Sequence, residues 1–207
     1  MTELAAPVVS VQERLALAKT ASRAIGALSG AQKTSVLNAI ADALLDASAR
    51  IVAANAEDLQ RGASNGLATG LLDRLRLDEA RVRGLASAVR EVAVLLDPVG
   101  EVVRGHRSPT GVQIEQVRVP FGVIGAIYEA RPNVTVDIAA IALRSGNAVV
   151  LRGGTDAEAS NRVLVGVMRD TLDAHGVDPE AIQTIDEFGR DGARELMRAR
   201  GLVDVLV

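Results

Sequence analysis

No cysteine occurs among the 207 residues. Its absence excludes disulfides, thiolate metal sites and any cysteine nucleophile supplied by this chain. Histidine is almost as scarce: His106 and His175 are too few and too far apart to argue for a histidine-based metal site. Lysine is confined to Lys19 and Lys33. The remaining basic residues are arginines scattered along the chain, and with a net charge of -3 and no basic block they give no reason to expect a nucleic-acid partner. Nor is there a run of about 18 uncharged apolar residues, so no membrane span is expected. Met1-Thr2-Glu3-Leu4 lacks the basic start and apolar stretch of a signal peptide. Together these absences predict a cytoplasmic protein. What is present is 48% hydrophobic and 24% charged residues, enough for one or two soluble globular domains.

The first hundred residues read as helices. Ser10-Val-Gln-Glu13 and Ser29-Gly-Ala-Gln32 both have capping-box spacing, in which two side chains satisfy each other's orphan backbone donors. After the second box, Val36, Ile40, Ala43, Leu44 and Ala47 share one helical face. Ile51 to Leu59 reads as a further helix closed by Gly62, and Ser64-Asn65-Gly66 to Gly70 as a loop. From Glu79 to Leu96, Val82, Leu85, Ala86, Val89, Val92, Ala93 and Leu96 recur at helical spacing until Asp97-Pro98 ends the run.

The texture changes at Val99. Two β-rich runs, Val102 to Arg104 and Val112 to Val119, flank Ser108-Pro109-Thr110-Gly111, which predicts a hairpin. It reads either as a projecting ribbon for subunit contacts or as an ordinary edge hairpin. Strands and helices then alternate. Strands are expected at Gly122 to Tyr128, Ala148 to Leu151, Ile182 to Ile185 and Val203 to Val207. The helices between them are Val134 to Ser145 (closed by Gly146), Asp156 to Ala174 (with His175 near its C-terminal dipole) and Asp191 to Arg200. Near-continuous apolar strands in such alternation predict an α/β fold, with a parallel sheet covered by helices on both faces.

Two turns carry candidate chemistry. In Leu151-Arg152-Gly153-Gly154-Thr155-Asp156-Ala157-Glu158 a strand end, a glycine pair and a helix start follow one another. Thr155 to Glu158 again has capping-box spacing. Backbone donors at that helix start suit an anion, the glycines permit close approach, and Arg152 suits a ribose or a 2′-phosphate. The plain alternative is a βα turn that needs glycine anyway. In Tyr128-Glu129-Ala130-Arg131-Pro132-Asn133-Val134, Pro132 fits a first helical turn. Arg131 and Asn133 stand at the carboxyl edge of the sheet, where open α/β folds bind ligands. The alternative there is a solvated turn capped by Asn133. Asp186 and Glu187 read as turn residues.

These motifs resemble the gamma-glutamyl phosphate reductase (glutamate-5-semialdehyde dehydrogenase) family of the aldehyde dehydrogenase superfamily. The likeness is carried by Leu72-Asp73-Arg74-Leu75, Asp97 to Glu101, Val119 to Gly125, Ile127 to Val134 and Ser145 to Gly154. The Tyr-Glu-Ala-Arg-Pro-Asn run is specific to that family. The resemblance implies a helical N-terminal region, a β-hairpin and a Rossmann-like NADP-binding sheet. The corresponding divisions are 1–98, 99–119 and 120–207, with possible homo-oligomers through the hairpin. It implies NADPH-dependent reduction of L-glutamyl 5-phosphate to glutamate 5-semialdehyde, a step toward proline. A cysteine thiolate attacks the acyl phosphate, phosphate leaves, and NADPH gives hydride to the thioester. The stretch with Arg152, Gly153, Gly154 and Thr155 would hold the cofactor's adenosine ribose. Arg131 or Asn133 would take the oxyanion-stabilising part.

Relatives in this family are roughly twice as long, and their nucleophilic cysteine falls in the half not matched here. The chain therefore reads as an N-terminal half, with the sheet cut at Val203 to Val207 and the catalytic domain absent. Such a cut predicts an unpaired edge and uncovered apolar surface. A cofactor-binding fragment, a complementing half and a remnant without function are the non-catalytic alternatives. With no thiol to form the thioester, the purified 207-residue chain is expected to show no NADPH-dependent turnover of glutamyl phosphate. Turnover in a preparation free of host reductase would overturn that expectation.

Overall fold

The computed structural model describes residues 10–207, so the reading of Met1 to Leu4 lies outside the described residues. Helices α1 (Val11–Gly26) and α2 (Gly30–Asp46) begin at the two expected capping boxes, with Ser10 paired to Glu13 and Ser29 to Gln32 in both directions. The face of α2 carrying Val36, Leu37, Ile40 and Leu44 is buried. Removing a side chain of this size from water contributes about 1.5–3 kcal/mol.

Three helical boundaries differ from expectation. Helix α3 (Ser48–Ser64) runs through Gly62 and does not stop before it. A β-carbon at Gly62 would lie 3.2 Å from Leu72 and 3.5 Å from Leu67, so glycine there lets the following segment pack against α3. That segment holds a short helix, α4 (Thr69–Leu75), where only a loop was expected. Helix α5 (Glu79–Ala93) stops before Leu96, which is 93% exposed. The periodic run was longer than the core face available to it.

Strands β1 (Val102–Arg107) and β2 (Gln113–Val117) form the antiparallel hairpin, and every residue in both is exposed. Its turn closes where Gly111 N–H donates to the Ser108 carbonyl at 2.9 Å. Next come β3 (Val123–Ile127), α6 (Pro132–Arg144), β4 (Ala148–Arg152), α7 (Glu158–Ala174), β5 (Ile182–Thr184), α8 (Gly189–Arg198) and β6 (Val205–Leu206). The four strands β3 to β6 make a parallel sheet in the order β5-β4-β3-β6. Helix α6 ends as foreseen at Gly146, whose φ of +76° suits glycine alone. Helices α6 and α7 pack on β4 and β5, and α1 and α8 on β3 and β4. Right-handed crossovers place these pairs on opposite faces. Apolar residues from α1, α2, α5, α6, α7 and the sheet join one continuous core. β6 is an edge strand, with Leu206 and Val207 exposed.

The start of α7 corrects a further expectation. Thr155–Ala157 is a separate 3-10 turn, α7 begins at Glu158, and the threonine makes no cap. The cap comes from α3. Asp58 is fully buried and accepts the backbone N–H of Ala159 at 3.1 Å and of Ser160 at 2.8 Å, plus the Ser160 hydroxyl at 2.6 Å. Arg61 pairs with the same carboxylate at 2.5 Å and also donates to the Thr155 carbonyl at 3.1 Å. One turn earlier, buried Asn55 donates to the Leu75 carbonyl and to Ser160, and accepts Leu77 N–H. Asp58→Ala should therefore leave two buried amides unmet and cost about 2–4 kcal/mol. Urea unfolding that gives equal stability for variant and wild type would contradict this role.

Candidate functional site

The carboxyl ends of β3 and β4 stand side by side, Ile127 facing Arg152 in parallel register. The segments leaving them meet closely. Tyr128 N–H donates to the Arg152 carbonyl at 3.1 Å. A β-carbon on Gly154 would lie 2.6 Å from the Ala130 nitrogen, so only glycine allows the two turns this contact. The glycine pair thus makes room first for the chain itself.

Beneath the two turns runs a buried line of hydrogen bonds. The Tyr128 hydroxyl lies 2.7 Å from Thr135 Oγ1, which donates to Asn161 Oδ1 at 2.7 Å. The Asn161 amide donates to Asp186 at 2.7 Å, and Asp186 also accepts Gly153 N–H at 2.6 Å. Burial pushes the Tyr128 phenol above its ordinary value. Asp186 is more than the turn residue expected from sequence. It is buried and ties the end of β5 to the turn after β4, and burial raises its carboxyl above the ordinary value despite the hydrogen bonds it accepts.

Above this floor opens a cleft of about 620 Å³. Its walls come from the turns after β3 and β4, from α8, and from Leu67, Leu71 and Arg74. Of the residues singled out from sequence, Arg131, Arg152, Gly154 and Thr155 line it. Gly153 lies buried below, and Asn133 faces a neighbouring groove that Arg131 also lines. Asn133 does not cap α6. The helix starts at Pro132 with Arg131 before it, and Asn133 donates to Asp137 at 3.4 Å within the first turns. Nor do the amides of Ala159 and Ser160 offer an anion site, because Asp58 already holds both.

Positive charge in the cleft is instead carried by side chains. Arg152 Nε donates to the Gly189 carbonyl at 3.2 Å, which fixes its stem. Arg131 and Arg74 flank Glu129 at 3.4 and 3.8 Å. Arg190 and Arg194 reach in from α8, and Arg194 is paired with Asp191 at 3.0 Å. Among the described residues, Arg152 and Arg190 have no carboxylate within ion-pair distance. Arg74, Arg190 and Arg194 were not foreseen as site residues. Two of them sit on a helix whose strongly polar face reads from sequence as mere solvent exposure. Their position just after β5 was the usable signal.

The aldehyde dehydrogenase family profile matches residues 4–206. The chain belongs to the aldehyde dehydrogenase family. Within it the likeness is to gamma-glutamyl phosphate reductases, along their N-terminal half. That of Leifsonia xyli subsp. xyli is 59% identical over 198 residues, covering 96% of this chain and 47% of the relative. The crystal structure of gamma-glutamyl phosphate reductase from Thermotoga maritima superposes with a TM-score of 0.91 at 33% identity, over 95% of this chain and 47% of that one. The enzyme from Saccharomyces cerevisiae gives 0.86 at 30%, over 95% and 50%. The chain therefore spans about half the length of the relatives it matches. No described helix is long and apolar enough to cross a membrane.

The raised Asp186 carboxyl has a consequence for stability. An acid whose folded value lies above its unfolded value holds its proton more tightly when folded. Its contribution to stability is present in acid and declines as pH rises through the folded value. The advantage of wild type over Asp186→Asn should therefore be largest below the ordinary aspartate value of 3.8 and shrink as pH rises past it. Urea unfolding of both proteins across the acid range checks this, and a difference that stays constant with pH rejects it.

Proposed function

We propose that this chain is the cofactor-binding part of a gamma-glutamyl phosphate reductase, and that the arginine-lined cleft takes NADP(H). In this reading 1–98 and 120–207 build one binding unit, and 99–119 is a ribbon for association with a second copy. The observation that carries the reading is the pair Arg152 and Arg190, two guanidinium groups with no carboxylate within ion-pair distance among the described residues, at the carboxyl edge of a parallel sheet. The residues fit a phosphorylated nucleotide. Guanidinium groups pair with phosphate in a bidentate manner, and the apolar side chains of Leu67, Leu71 and Met197 give an adenine ring a surface to lie on. NADPH supplies a hydride when bound.

What this chain's own residues contribute is binding and orientation. Arg152 holds anionic groups against the end of β4 while Gly189 fixes its stem. Asp186 holds the Gly153 amide, keeping the turn in place below. Arg131, tied to Glu129, carries positive charge from the cleft into the neighbouring groove, where an acyl phosphate substrate would need it. The chain supplies no thiol, so catalysis requires a cysteine from elsewhere. That same lack favours a second reading, in which the chain binds NADP(H) without turning substrate over.

Fluorescence titration of NADPH tests both readings. The wild-type chain should bind, and Arg152→Ala should weaken binding about tenfold, ~1.4 kcal/mol. Arg190→Ala, which removes an exposed side chain, should also weaken it without lowering thermal stability. Failure of the wild-type chain to bind NADPH would sink the proposal.

A further inference from the structure

Asn161 is buried on the first turn of α7, directly after the two amides that Asp58 holds. Its side chain stands where the two turns of the cleft meet. A β-carbon on Gly153 would collide with the Asn161 amide nitrogen, and would lie 3.3 Å from the Tyr128 ring and 3.4 Å from the Asp186 carboxylate. The space a side chain would take at 153 is thus filled by three polar groups, carried by α7 and by the segments after β3 and β5.

The hydrogen bonds among these groups run one way. Thr135 has a single hydroxyl proton and gives it to the Asn161 carbonyl oxygen at 2.7 Å, so the Tyr128 hydroxyl is the donor in its 2.7 Å contact with Thr135. Asn161 in turn donates to one oxygen of Asp186 at 2.7 Å, and Gly153 N–H reaches the other at 2.6 Å. Asn161 is therefore the member joined to both sides. Through Thr135 and Tyr128 it holds the turn that carries Arg131, and through Asp186 the turn that carries Arg152 and Gly154. An amide serves both because it accepts at one end and donates at the other, which no apolar side chain of its size can do.

We propose that Asn161 is a positioning residue for the cofactor: it orients Asp186, and through Asp186 the Gly153–Gly154 turn, in the arrangement that receives NADP(H). The inference rests on the reading of the cleft as an NADP(H) site. Asn161 does not line that cleft and acts from beneath it. A binding surface held in one arrangement by buried hydrogen bonds loses less freedom when its ligand arrives, so loosening it costs affinity.

Asn161→Asp gives the role a signature. It sets a second carboxyl at hydrogen-bonding distance from Asp186, and two such groups do not ionise together cheaply. They share a proton in acid, which restores the missing donor, and lose it as pH rises. The other charged or titratable groups facing this pair are unchanged by the substitution. They are Arg152 and Tyr128 on the cleft side, Asp58 with Arg61 at the start of α7, and Arg14, Glu158, Arg162 and Glu187 around a cavity of about 270 Å³ that Asp186 also lines.

Calorimetric titration of the whole 207-residue chain with NADP+, below the melting temperature of each protein, tests the proposal. Asn161→Leu should bind about tenfold more weakly than wild type, ~1.4 kcal/mol, at every pH. Asn161→Asp should match wild type in acid and weaken relative to it as pH rises. Thr135→Ser, which keeps the hydroxyl, should bind like wild type, and Thr135→Val more weakly. A role confined to stability lowers the melting temperature of the variants while the folded protein binds as before, and that result overturns the proposal. So does an Asn161→Asp chain whose affinity relative to wild type is the same at all pH. Should Asn161→Leu not fold, the pH profile of Asn161→Asp decides. Wild type that binds NADP+ no better than its variants removes the positioning role alone, whereas wild type that does not bind removes the reading beneath it as well.

Discussion

Helix α7 begins on a carboxylate that belongs to another helix, and much of the described architecture depends on that contact. Asp58 of α3 meets the amides of Ala159 and Ser160 with no access to water. A buried carboxylate is tolerable only when its oxygens are hydrogen-bonded and a cation is near, and here the helix start and Arg61 supply both. Asn55, one turn away on the same face, fastens the link between α4 and α5. These two polar side chains set the position of the helical arm relative to the sheet. The arm in turn supplies one wall of the cleft and one wall of the groove beside it.

The same contact bears on where positive charge sits in the cleft. In many α/β folds the helix start after a strand receives a phosphate on its backbone donors. Here two of those donors are occupied by Asp58, and the positive charge facing the cleft comes from arginine side chains instead. The floor below them is held by Asp186, Asn161 and Thr135, which join the ends of three strands' following segments through buried hydrogen bonds. A polar network of this kind is costly if any member is left unmatched, which makes the floor rigid.

Much of the fold could be read from sequence because the signals were local. Ser10 with Glu13, Ser29 with Gln32, the apolar runs at Val123 and Ala148, and the glycine at 146 each act over a few residues. What escaped was long-range. The contact between Asp58 and Ala159 spans 101 positions, and nothing near Thr155 indicates that its capping role is taken by another helix. Gly62 and Leu96 misled for a related reason. Whether a glycine ends a helix, or an apolar residue is covered, depends on what packs against it. In the site, Arg131, Arg152, Gly154 and Thr155 were legible as residues at a strand's carboxyl end. Arg190 and Arg194 were not, since a polar helix face gives no hint of which side it turns to a cleft. Asp186 looked like a turn residue because its burial is imposed by Gly153 and Asn161.

The exposed arginines of α8 stand on a different footing from the floor they overhang. Arg190 and Arg194 are exposed and, among the described residues, make no hydrogen bond to the buried network, and substitutions at such positions rarely alter stability by more than about 0.5 kcal/mol. Substitution along the rim can therefore change the charge of the cleft while the strands, turns and glycines below remain fixed. A lineage that altered the charge of the cleft would show the change first in this helix face, and last in the Gly154 and Ala130 pair, where a β-carbon on the glycine would meet the Ala130 nitrogen.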